Sequence, residues 1–323
     1  MPAKDQYRAF CEKESSLPIF SRAWWLDAVC GEKNWDVAVV KNGDEIAAAL
    51  PYYIQQGKRA ISLTMPQLTQ TLGPWLRPSK AKYANMLAEQ KDLMTQLINQ
   101  LPPYDIFAQN FHYSITNWLP FYWQGFNQTT RYTYVIEDLT DIKKVWDGLL
   151  PNIRTDIKKA QNRFGVQVYT DLDIDTFLDV NELTFVRQGQ RLPYSRDLVK
   201  RLDNACVAYN ARKIFFGKDE EGKIHAVAYV VWDENSAYYL MGGGDPELRN
   251  SGATSLCLWE AIQFAATVTK RFDFEGSMIE PVERFFRAFG AKQIPYFSIS
   301  KNNSRRALLR QSVGIIKKAL LKK

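Results

Sequence analysis

The sequence predicts an α+β fold in two tandem units, each a mixed, mostly antiparallel sheet flanked by helices, with a basic amphipathic helix at the C-terminus. Three observations carry this. Short aromatic or β-branched strands alternate with amphipathic helical segments along the whole chain. The end of the first half is echoed at the end of the second: FYWQGFNQTTRYTYVI and FRAFGAKQIPYFSIS each run an aromatic helix end into a glycine and then into a Tyr-led strand, the mark of a degenerate duplication. The formal charge of +7 is also confined to one end. From Lys301 onward stand eight basic residues and no acid, which leaves −1 on residues 1–300.

With 323 residues, 46% hydrophobic and 13% aromatic, the chain can bury two cores. In the first half, DVAVVKN and EIAAALPYYIQ form a hairpin about Asn42-Gly43, and RAISLT is a third strand. AKYANMLAEQKDLMTQLINQL is a helix, and YDIFAQN, TNWLPFYWQG and RYTYVIE supply strand, helix and strand. The second half opens near Asp141 with a helix through Ala160, closed by Gly165. Strand GVQVYT, helices DTFLDVNELTFVRQ and SRDLVKRLDNACVAY, and strands KIFFGK, HAVAYVVW and AYYLMG follow. Helix TSLCLWEAIQFAATV, strand FDFEG, helix PVERFFRAF and strand PYFSIS complete it. The expected domains are 1–139, 140–302 and a tail over 303–323.

Several function classes are disfavoured. Cys11, Cys30, Cys206 and Cys257 lie far apart without a CxxC spacing, which suits reduced, buried thiols. His112 and His225 are the only histidines, and neither has a metal-ligand neighbour at helical spacing, so zinc chemistry and a Ser-His-Asp triad are not expected and no metal is implied. A body near neutrality argues against a broad nucleic-acid face. The start, MPAKDQYRAFCEKESS, has no apolar signal core, and no run of about 18 apolar residues occurs, so a cytoplasmic location is expected.

Chemistry concentrates in MGGGDPELRNSGATSLCLWEAI, Met241 to Ile262. Arg249, Asn250, Ser251, Gly252 and Ala253 stand where a strand gives way to a helix, and a helix N-terminus offers unpaired N–H groups and partial positive charge to an anion. A capped strand-to-helix turn is the competing reading, with Ser251 or Thr254 as the cap. The equivalent segment of the first half, TLGPWLRPSK, carries Pro74 and Pro78, which remove N–H donors. In FDFEG, period-two alternation places Asp273 and Glu275 on one face, where mutual repulsion would raise one carboxyl into the range of a general base; a structural ion pair and a helix cap are the alternative. Helix NIRTDIKKAQNRF sets Arg154 and Lys158 at i, i+4 beside an apolar stripe.

The order strand, R-x-x-G-A loop, helix, FDFEG strand, helix and final strand resembles the GNAT acyltransferase core. GGGDPELRNSGATSLCLWEAI, FDFEGSMIEPVERFFRAFGAKQIPYFSISK and NIRTDIKKAQNRFGV resemble its FemAB-like branch, which contains the peptidoglycan-bridge aminoacyltransferases and BioF-type N-acyltransferases. The likeness runs from about Pro18 to Lys301. It implies two tandem GNAT-like domains and transfer of an acyl or aminoacyl group to an amine of a cell-envelope (peptidoglycan or polysaccharide) precursor. It further implies donor phosphates at residues 249–253 and acceptor recognition by Arg154, Lys158, Arg187, Gln188 and Tyr194. The donor is acyl-CoA or aminoacyl-tRNA. The neutral body and the lack of a long charged coiled-coil insertion weigh against tRNA. Thr254 stands where the family's Q/R-x-x-G-x-G/A motif has a small residue. CoA-dependent acetylation of an amino sugar or small amine, and a non-catalytic binding protein, are the alternatives. The tail SRRALLRQSVGIIKKALLKK, read as a helix, suits an anionic membrane surface.

Overall fold

The computed structural model describes residues 2–57, 60–187, 189–276 and 278–304; the tail helix and Gln188 therefore lie outside the described residues. Contacts divide the chain into one unit of Met1–Lys13, Phe20–Arg131 and Tyr296–Lys323, and another of Glu14–Ile19 and Tyr132–Pro295.

The first unit begins with two helices that the sequence did not announce, α1 (Ala3–Cys11) and α2 (Ala23–Cys30). In α2, six of eight residues are buried, so no polar face marks its period. Then come β1 (Trp35–Asn42), β2 (Glu45–Gln56), β3 (Ile61–Thr64), β4 (Trp75–Leu76), α3 (Tyr83–Asn99), β5 (Ile106–Asn110), α4 (Leu119–Trp123) and β6 (Asn127–Ile136), which enters the second unit at Tyr132. The expected hairpin is β1–β2, turning between Asn42 and Glu45; β3 pairs with β5 in parallel, and β4 pairs with β2. Phe107, Phe111, Phe121 and Phe126 fill the core against Leu63 and Leu97.

The second unit holds α5 (Ile142–Gly148), α6 (Pro151–Phe164), β7 (Gln167–Tyr169), α7 (Ile174–Arg187), α8 (Arg196–Ala208), β8 (Arg212–Lys218), β9 (Ile224–Trp232), β10 (Ala237–Gly244), α9 (Ala253–Val268), β11 (Phe272–Asp273), α10 (Glu280–Arg287) and β12 (Lys292–Asn302), whose last residues return to the first unit and pair with β5. Its strands run in the order β6-β11-β10-β9-β8-β7, antiparallel except for β10 with β11. The expected α+β class, with mixed and mostly antiparallel pairing, is the one observed.

Local expectations needed correction at three places. One helix from Asp141 became two, because Leu149 and Leu150 are extended ahead of Pro151, which opens α6. The strand AYYLMG runs on through Gly244, so the glycines belong to β10. The strand FDFEG stops at Asp273, because Glu275 takes φ +58° and ends the alternation.

Candidate active site

The glycines of β10 are matched to their neighbours. Gly242, Gly243 and Gly244 pair with Ala228, Val227 and Ala226 of β9. A Cβ on Gly243 would stand 2.7 Å from Asn181 Cα, so α7 packs directly on this strand. The side chains of α7 hold it there: Asn181 Nδ2 donates to Gly242 O at 2.6 Å, and Gly244 N donates to Thr184 Oγ1 at 3.1 Å. On its other side β10 meets β11 at Ala237 and Tyr238 alone, and past that point the two parallel strands share no ladder pair.

Beyond β10 a turn leads through a short 3-10 segment, Arg249–Ser251, to Gly252, the N-cap of α9, at φ +85°. A Cβ there would lie 2.3 Å from Asp156 O of α6. Ser251 Oγ accepts from Ala253 N at 3.3 Å, a local turn bond from the residue before the N-cap. Gly252 itself supplies no side-chain cap. Thr254 N–H and Ser255 N–H, in the first turn, have no carbonyl one turn back within the helix, and they give this end its partial positive charge. Arg249 and Asn250 are exposed beside it, whereas Ser251 and Ala253 are buried.

A cleft of about 250 Å³ opens at this helix end, within the second unit. One part of its wall is polar, with Arg187 and Arg249 as its cations, Asp245 as its acid, and His225, Thr254 and Gly242–Gly244 between them. The other part is apolar, formed by Tyr239, Val282, Phe285 and Phe286. His225 has a place here that sequence reasoning missed. It is 3% exposed, and its Nε2 lies 3.0 Å from Asp219 Oδ2. The bond to His225, followed by the Lys223 N–H, holds the Asp219 carboxyl below the usual range. Asp219 and His225 flank the turn at Glu221-Gly222, and that hairpin was the available signal.

The two carboxylates come together, though not as neighbours on one strand face. Asp273 is 3% exposed; its Oδ1 accepts from the Thr133 hydroxyl and, at 2.8 Å, from Glu275 N. Burial raises its pKa to about 7 against the pull of those two bonds. Burial, reinforced by the charge of Asp273, lifts the Glu275 carboxyl well above the ordinary range. The left-handed backbone at Glu275 and Gly276 turns the chain sharply, and Gly276 sits so close to β6 that a Cβ would be 2.2 Å from Tyr132 O. Asp273 and Glu275 do not line the 250 Å³ cleft; Phe274 between them stacks on Phe286, which does.

The residues expected at the acceptor are divided. Arg187 lines the cleft. Tyr194 OH donates to Asn181 Oδ1 at 2.9 Å, which ties it to Gly242 through Asn181, and burial pushes its pKa up to about 12. Arg154 donates to Asp147 O at 3.2 Å, and Lys158 is exposed. At about 3.6 residues per turn, Arg154 and Lys158 fall on the side of α6 opposite Asp156, hence away from Gly252, while Lys159, paired with Asp156 at 2.9 Å, is on the near side. All four cysteines are buried thiols, and among the described residues no group of three His, Cys, Asp or Glu side chains is placed to hold a metal ion.

Residues 150–285 match the acetyltransferase (GNAT) domain. No curated protein matches the chain. Among solved structures, FemX aligns with a TM-score of 0.65 at 11% identity, over 97% of this chain and 98% of its own. The C-terminal domain of an Agrobacterium fabrum protein described as a lysylphosphatidylglycerol synthetase aligns at 0.59 and 12%, over 97% and 96%. A tandem GNAT protein from the clavulanic acid biosynthesis pathway aligns at 0.51 and 11%, over 93% and 94%. At such identities the likeness is one of fold, and it extends over both units.

Proposed function

We propose, from the premise that this chain is an acyltransferase of the GNAT fold in the tandem, FemAB-like arrangement, that it transfers an acyl group from a CoA-type thioester to an amine of a cell-envelope precursor. The carrying observation is the two-sided cleft at the start of α9. Arg249 and the helix N-terminus suit a pyrophosphate, and the aromatic wall suits a flexible, largely apolar arm. In the reaction a C–N bond forms and the C–S bond breaks. The thiolate leaves, and the amine must lose one proton. Glu275, which lies behind the cleft wall next to Phe274, is the assigned final acceptor of that proton, with transfer out of the cleft carried by water, and Asp273 positions it by accepting its backbone N–H. Arg187 and Tyr194 orient the acceptor. An envelope acceptor is supported by the name of the Agrobacterium neighbour, a lysylphosphatidylglycerol synthetase.

A second reading, in which the donor is an aminoacyl-tRNA, follows from the resemblance of the sequence to the peptidoglycan-bridge aminoacyltransferases. Salt separates the two. A tRNA engages many phosphates, so its affinity falls steeply with ionic strength, whereas a CoA thioester shows a shallow slope. Titrations of acyl-CoA and charged tRNA against the purified chain at several salt concentrations are expected to give saturable acyl-CoA binding and no specific tRNA retention; the converse overturns the CoA reading. Arg249→Ala is expected to weaken acyl-CoA binding by about 1.5–3 kcal/mol, the scale of a charge-assisted hydrogen bond. Unchanged affinity in that variant would remove Arg249 from the donor site.

A further inference from the structure

The first unit carries a surface that acyl transfer does not use. From Ile106 to Thr130 the chain contains no Asp, Glu, Lys or Arg, although much of that stretch lies at the surface. Within it, α4 buries Pro120 and Phe121 and turns Leu119, Tyr122 and Trp123 outward, with exposures of 48%, 58% and 59%. Positions i, i+3 and i+4 form one helix face, so the outward face of α4 is wholly apolar and aromatic. Trp118 stacks edge-on against Tyr122 with ring centroids 5.5 Å apart. A solvated helix carries charges on such a face. Tyrosine and tryptophan with a leucine are instead the side chains favoured where hydrocarbon meets headgroups.

A cation beside this face links it to the end of the chain. Lys301 Nζ donates to Gln124 O, just past α4, at 2.7 Å, and lies 4.9 Å from the centre of the Phe126 ring. Ser304, the last of the described residues, follows three positions later, and the basic segment begins at the next residue in the sequence. Residues 305–323 carry seven basic side chains and no acid. An apolar wedge without charge thus stands at the root of a strongly cationic segment, whose charge the rest of the chain, near neutral in sum, does not balance.

We infer that the outward face of α4, with Leu119, Tyr122 and Trp123, inserts into the headgroup region of an anionic lipid bilayer, and that the basic C-terminal segment holds the protein at that surface. The attraction of the cations is electrostatic and reversible, while the aromatic wedge adds apolar burial that salt does not screen. This inference is independent of the donor and acceptor of the acyl transfer.

The test is co-sedimentation of the full chain with vesicles of phosphatidylglycerol and phosphatidylcholine, and with phosphatidylcholine alone. Binding to the anionic vesicles is expected, with a loss of at least about tenfold in affinity for Tyr122→Ser/Trp123→Ser while the tail is intact. Both altered side chains are exposed, so far-UV circular dichroism and thermal unfolding should match the parent. Should the double variant fold poorly, quenching by brominated lipid is read instead, and Trp123→Phe should lose part of the parent's quenching. Equal vesicle binding by the folded double variant, equal quenching by Trp123→Phe, or no vesicle binding by the full chain overturns the proposal. So does a dimer in sedimentation velocity that the double variant abolishes without any vesicle binding, since a second copy would then cover the face.

Discussion

Turnover in Glu275→Gln is expected to fall by roughly 10²–10⁴ with little change in donor affinity, because the amide keeps the shape of the side chain and removes its basicity. The pH profile adds a sharper test. Burial and the Asp273 charge both oppose ionisation of Glu275, so kcat/KM should rise with pH along a limb above the ordinary carboxylate range. Asp273→Asn removes the negative neighbour and should move that limb to lower pH; Glu275→Gln should abolish it. Stability moves differently. The pKa of Asp273 is raised to about 7 from an unfolded value of 3.8, so the native state binds the extra proton between those values. Its contribution is complete below about pH 4 and is lost as pH rises through about 7. Asp273→Asn, which retains an acceptor for Glu275 N, should therefore unfold at higher temperature than the parent at pH 8. At pH 4 the two should be alike. The ceiling on the gain is roughly 4 kcal/mol, from a shift of about three pKa units. A profile that neither substitution alters would make both carboxylates structural.

Gly252→Ala is expected to cost roughly 2–5 kcal/mol in urea denaturation and to weaken the donor site with it. About 1–2 kcal/mol comes from placing a Cβ at φ +85°. The remainder, about 1–3 kcal/mol, comes from crowding against Asp156 O, which is backbone and cannot rotate away. Gly222→Ala separates the two contributions. Gly222 sits at φ +84° in the turn before β9, and a Cβ there meets nothing within 4 Å. The difference between the two variants isolates the approach of α6 to the loop, and equal costs would show that the contact is loose.

How far the sequence foretold this depended on what kind of constraint each residue obeys. The hairpin at Asn42-Gly43 and the succession of strands and helices in the second unit were legible because alternation and turn chemistry are local. The helix of α2 was not, since burial on nearly every side leaves no period. The end of β11 was not, since a left-handed glutamate has no sequence signature and is imposed by the Asp273 bond to its N–H and by the packing of Gly276 on Tyr132. Asp219 with His225, and Tyr194 with Asn181 and Gly242, are pairings across elements. The family resemblance suggested Tyr194 and Arg187, but only the packing of α7 on β10 reveals that they belong with the glycines.

The three glycines of β10 also differ in how freely descendants of this chain could replace them. At Gly242 the obstacle is the Tyr239 side chain, whose hydroxyl lies 1.8 Å from the Cβ position, so a paired change to a smaller residue at 239 opens a route. At Gly243 and Gly244 the nearest obstacles are main-chain atoms, Asn181 Cα and His225 O, and no exchange of side chains can relieve them. Divergence along this lineage can therefore trade residues at 239 and 242 together, while 243 stays locked until α7 is repositioned and 244 until the backbone of β9 shifts, whatever substrate the descendant comes to use.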